Sequence, residues 1–67
     1  MTFYYHENVI NDLKLIDQVQ AHMLIDYFEN QYDKSVPIKK GRIFRTGPFR
    51  ILFIEEKDKI KVLRIIR

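Results

Sequence analysis

RIFRTGPFRILFIEEKDKIKVLRIIR, residues 42–67, alternates β-branched and aromatic side chains with charges and is interrupted twice, at Gly47-Pro48 and at the polar EKDK of residues 56–59. Runs of this kind joined by short turns predict three successive antiparallel strands. Side chains alternate along a strand, so in the middle run Phe49, Ile51 and Phe53 share one face while Arg50, Leu52 and Ile54 share the other. The larger apolar set is expected to form the core, which leaves Arg50 on the open face. The last run decides less. Ile60, Val62 and Ile66 alternate with Leu63 and Ile65, both faces are apolar, and Arg64 has no assigned side.

Upstream, the aromatic stretch TFYYH predicts a strand over Thr2–His6. From Glu7 the apolar positions take helical spacing: Val9, Leu13 and Ile16, then Met23 or Leu24, then Tyr27 and Phe28. Asp17 and Gln20 have the spacing of a capping box, so one helix is expected to end near Ile16 and a second to run from Gln18 to about Asn30. Residues 31–41, QYDKSVPIKKG, are expected to be a loop, with Pro37 excluding helix and Gly41 marking the end. The predicted fold is α+β in the order β-α-α-β-β-β. Two N-terminal helices pack on one face of a four-stranded, largely antiparallel sheet.

With 67 residues the chain makes a single domain, and a chain of this size buries only about 60% of its unfolded surface. It has no cysteine, which excludes disulfides, zinc-thiolate sites and thiol catalysis. No apolar run reaches the ~18 residues of a membrane span and the first residues lack a signal-peptide pattern, so a cytoplasmic protein without a membrane partner is expected. The net charge of +3 conceals a division: residues 1–38 carry two Lys/Arg against six Asp/Glu, a net of −4, while residues 39–67 carry ten against three, a net of +7. A segregated basic half is the footprint of a protein that meets phosphates. A lysine-rich strand pair that keeps its own edge soluble would look the same.

The order of elements and the quoted stretch resemble the C-terminal sheet of the RelE/ParE toxin superfamily, in which an Arg-containing strand, a Gly turn, an aromatic-Arg pair, an acidic hairpin and a VLR-type strand follow one another. HENVINDLKLI, residues 6–16, is similar to the family's first helix. The resemblance implies the toxin component of a toxin-antitoxin system. RelE-like members cut mRNA in the ribosomal A site and ParE-like members inhibit DNA gyrase. Arg50 in FRILF matches the arginine that contacts the scissile phosphate in RelE-like nucleases, and Arg45 in RIFRTG matches the basic position of the preceding strand. Lys39 and Lys40 lie near where the nuclease branch supplies further lysines. Ile66 and Arg67 replace the glycine and the histidine or arginine usual in the family, whose nucleases continue into a short tail with more basic residues and a tyrosine. The implied partners are a cognate antitoxin, the ribosome and mRNA, or gyrase in the ParE branch; a weak homodimer is a further possible partner, and no cofactor is expected.

Cleavage by a ribose 2′-OH needs charge stabilisation at phosphorus, a base and an acid. Arginine supplies the first, because its planar fork bonds two phosphate oxygens and keeps its charge. Arg50 is the leading candidate, with Arg45 and Arg67 as assistants, and Lys39, Lys40, Arg42 and Arg64 as expected RNA contacts. A lysine in a cationic cluster has a depressed pKa, which makes Lys39 or Lys40 the candidate base beside the alternative of solvated loop lysines. His6, at a strand-helix junction, is expected to be a cap or surface group, and His22 a structural residue of the acidic helix. Two separated histidines make no metal site. Ser35 has no histidine nearby, so a nucleophilic triad is unsupported. Tyr4, Tyr5, Phe44 and Phe49 could stack bases, but so small a core is expected to absorb them. Two other classes remain open: a non-catalytic module of the same fold, either a gyrase inhibitor or a phosphate- or partner-binding protein, and a small regulatory protein that uses its sheet edge for pairing.

Overall fold

In the computed structural model, which describes Met1–Arg67, the quoted stretch forms three consecutive antiparallel strands. They are numbered in chain order after two earlier ones: β3 (Gly41–Thr46), β4 (Phe49–Glu56) and β5 (Lys59–Ile66). Both hairpins have two-residue turns, with Thr46 opposite Phe49 and Glu56 opposite Lys59. Gly47 takes a φ of 54°, which a side chain would oppose, and Pro48 fixes the φ that follows.

The expectation of a four-stranded, largely antiparallel sheet is wrong. The sheet has five strands in the order β1-β5-β4-β3-β2 and is mixed, because β1 (Thr2–Tyr5) lies parallel to β5, from Thr2 opposite Lys59 to Tyr5 opposite Val62. The element order is β-α-α-β-β-β-β. The added strand, β2 (Val36–Ile38), falls in the segment expected to be a loop. Pro37 excludes helix there but not an edge strand, where the position without an N–H costs no ladder bond. Lys39 and Lys40 form the turn into β3, and Gly41 starts that strand with a φ of 147° at a point where a Cβ would sit 2.6 Å from the Phe53 carbonyl oxygen, two reasons for a glycine there.

Helix α1 (Glu7–Leu13) is shorter than expected, the chain unwinding through Leu15 and Ile16 before α2 (Gln18–Gln31). The Asp17 carboxylate caps α2 by accepting from the Gln20 N–H at 3.3 Å. A single 3₁₀ turn (Tyr32–Lys34) then leads to β2.

The undecided face of β5 is settled by a β-bulge. Arg64 pairs with Leu52 and Val62 with Phe53, leaving Leu63 as the extra residue. The alternation therefore changes phase: Ile60 and Val62 point inward, and after the bulge so does Ile65. Without it Arg64 would follow Val62 into the core. On β4 the expected inward set is the observed one, Phe49, Ile51 and Phe53 being 4%, 0% and 1% exposed while Arg50 is exposed.

Phe28 on α2 is the centre of this core. Its ring makes edge-to-face contacts with Phe53, Phe44 and Phe3 at 5.2, 5.6 and 6.0 Å between centroids. Val9 brings in α1, and the Tyr5 hydroxyl, donating to Glu29, ties β1 to α2. Burial first, and then the Glu29 carboxylate, push the Tyr5 phenol far above its ordinary pKa, so it remains a donor.

Phe28→Ala is expected to cost about 3–5 kcal/mol. A domain of this length has about 3–10 kcal/mol in all, so the substitution should remove about a third of it or more, and urea titration followed by far-UV circular dichroism should show a sharply lowered midpoint. Leu15, 84% exposed, is the control. Its alanine variant should stay within about 0.5 kcal/mol of the parent.

Candidate nucleic-acid interface

Both helices pack on one side of the sheet, and the other side is open. On that open side Arg45 of β3 and Arg50 of β4 are direct cross-strand partners, and both are exposed. Like charges placed opposite each other repel. Neither guanidinium has a carboxylate partner, since the three ion pairs of the protein are Lys59–Glu56, Lys61–Glu56 and Arg64–Asp12. Ile66 continues the row on β5, and Ile43 and Leu52, opposite each other on the next row, give it a half-buried apolar floor. The result is a paired cationic fork on an apolar sheet, a geometry suited to the oxygens of a phosphodiester.

The other expected contacts are dispersed. Arg67 lies over the Phe49 ring at 5.5 Å, on the helix-covered side of the sheet end rather than on the Arg45–Arg50 row. Arg42 shares the inward face with its partner Phe53, and donates through Nε to Ser35 Oγ at 2.7 Å and through Nη2 to the Ser35 carbonyl at 2.8 Å. Those bonds account for Ser35, the one buried polar residue. Lys39 and Lys40 are exposed at the turn before Gly41, whereas Arg45 sits near the opposite end of β3. The lysines are therefore not neighbours of the arginine pair.

Arg64 belongs to a clamp that sequence does not announce. Its Nε and Nη2 donate to the two oxygens of Asp12 at 2.9 and 3.1 Å, and the backbone N–H of Ile65 donates to the same carboxylate at 2.9 Å. β1 ends at Tyr5, so β5 is an open edge beyond Val62, and Asp12 from α1 takes the place of the missing strand partner. The Arg64 hydrogen bond, helped by the Ile65 N–H and by the guanidinium charge and opposed by burial, holds the Asp12 carboxyl below its ordinary pKa.

His6 caps α1, its Nδ1 accepting from the Asn8 N–H at 3.0 Å, and His22 is exposed on α2. No group of three or more His, Asp or Glu is brought together to hold a metal ion. Tyr5, Phe44 and Phe49 are packed with the core as expected, but Tyr4 is not: it is 55% exposed on the open face, with Lys59 Nζ 5.8 Å from its ring centroid. Strand alternation carried the signal, since Phe3 and Tyr5 inward puts Tyr4 outward.

No helix is long and apolar enough to cross a membrane. No family model, curated protein or solved structure matches this chain.

Because the folded pKa of Asp12 is depressed, its contribution to stability is present above the unfolded-state value, about 3.9, and is lost as pH falls through the lower folded value. Asp12→Asn should lower the urea midpoint at pH 7. The difference from the parent should shrink as both are titrated below about pH 4.

Proposed function

We propose that the protein is a cytoplasmic, RNA-directed toxin of the RelE-like kind, a ribosome-dependent mRNA endonuclease or a reduced descendant of one, with the open sheet face as its RNA surface. The observation that carries this reading is the Arg45–Arg50 pair: two guanidiniums opposed across the ladder, exposed, and without a carboxylate partner. Their forks bond phosphate oxygens and stabilise the charge that develops when a neighbouring 2′-OH attacks in line. An acidic antitoxin segment has the charge to cover the same face.

A second reading, binding without cleavage, is favoured by what surrounds the pair. The adjoining open-face residues are Ile43, Leu52 and Ile66, none of which accepts a proton. Lys39 and Lys40 are at the far end of β3, and His6 is committed to its cap. A phosphate-binding or gyrase-directed module of the same fold would use the arginines in this way.

Primer extension on a reporter mRNA in a cell-free translation extract separates the two. Under the nuclease reading the parent gives discrete cuts at ribosome-occupied codons, and Arg50→Ala reduces their rate by about 10²–10³-fold. An intact message together with salt-sensitive RNA binding selects the second reading, and Arg50→Ala should then lower the salt slope by about 1. If the protein neither cuts nor binds RNA, the open face is not an RNA surface.

A further inference from the structure

Tyr4 gives the open face a second feature, distant from the arginine pair. Phe3 and Tyr5 occupy the inward positions of β1, so the core has no use for the Tyr4 ring. β1 stops at Tyr5 while β5 continues to Ile66, and the Leu63 bulge lies just past the stop. The step between the strands is a cavity lined by Tyr4, His6, Lys59, Lys61 and Leu63, together with Tyr5 and Val62. It joins an exposed aromatic face to an apolar floor with two ammonium groups at the rim. Glu56 lies 3.7 Å from Lys59 Nζ and 3.4 Å from Lys61 Nζ, so one carboxylate answers two cations and the notch stays positive.

An aromatic ring beside lysines on an open sheet face is the arrangement that stacks a base and holds its backbone phosphate. The notch and the arginine pair share the face. From the level of Tyr4, which is that of Lys61 and Ile54, to Arg50 is four residues along β4 and two strands across, roughly 16 Å at ~3.3 Å per residue and ~4.8 Å per strand. Leu52 floors the path between them, and Arg64 on that path is already neutralised by Asp12. The cationic groups free to meet phosphates therefore stand at the two ends.

We propose that a single-stranded RNA crosses the open face with one base stacked on Tyr4 in the β1–β5 notch, its phosphate on Lys61 and Lys59, and a phosphate further along the strand held by Arg45 and Arg50. This rests on the reading of the open face as an RNA surface and adds a base-binding site to it. The site is tolerant of base identity, because every base offers a π face to the Tyr4 ring.

The test is fluorescence titration with a mixed-sequence RNA of about twelve nucleotides, using the parent, Tyr4→Ala, Tyr4→Phe, Tyr4→Trp and Arg50→Ala, each checked for parental far-UV circular dichroism. Tyr4→Ala should bind about tenfold more weakly, with the salt slope unchanged, and Tyr4→Phe should bind like the parent. The chain has no tryptophan, so Tyr4→Trp places a single indole at the site. Its emission should be quenched by the RNA and not by inorganic phosphate. Parental affinity in Tyr4→Ala, or an indole that RNA does not quench, overturns the base site while a weakened Arg50→Ala leaves the phosphate surface standing. Failure of the parent to bind, or indifference to Arg50, removes both.

Discussion

The phase change at Leu63 is the constraint on which the sheet depends. A continuous alternation through β5 would put Ile60, Val62, Arg64 and Ile66 on one face, and an arginine turned into the core would carry a desolvation cost that a domain of this size has no margin to absorb. One extra residue between the pairs Phe53–Val62 and Leu52–Arg64 turns Arg64 outward and Ile65 inward. The same bulge lies against the end of β1, so the device that completes the core also shapes the notch beside Tyr4.

The edge left where β1 ends is answered by Asp12. Its carboxylate accepts the Ile65 N–H that a longer β1 would have bonded, and it holds Arg64 by two further bonds. An exposed strand edge is a template for unwanted pairing, and here the end of α1 closes it. At the opposite edge β2 is three residues long and contains Pro37, which offers no donor, so that side is also poorly suited to extension. With both edges blunted, the open face is the part of the sheet left uncovered.

That division sorts the arginines. Arg42 donates twice to Ser35 and Arg64 twice to Asp12, and both hold the structure together, Arg67 rests on Phe49, and Arg45 and Arg50 face each other without a counter-charge. Within the basic half, Arg64 is answered by Asp12, and Lys59 and Lys61 share Glu56. A repulsive pair kept on an exposed ladder costs stability, a cost that an anionic ligand of the kind proposed would offset.

The sequence by itself determined the local features: the two hairpins from Gly47-Pro48 and Lys57-Asp58, the Asp17 start of α2, the inward set Phe49, Ile51 and Phe53, and the outward Arg50. Each follows from residues a few positions apart, where turn geometry, capping and strand alternation act. Tertiary structure alone decided the parallel pairing of β1 with β5, the strand at Val36–Ile38 and the side taken by Arg64. Parallel strands need no local turn, Pro37 is compatible with both loop and edge strand, and Asp12 meets Arg64 across 52 positions of chain. Local preference fixes periodicity, but which edge a strand joins and which charge finds a partner depend on contacts that exist only once the chain has closed on its core.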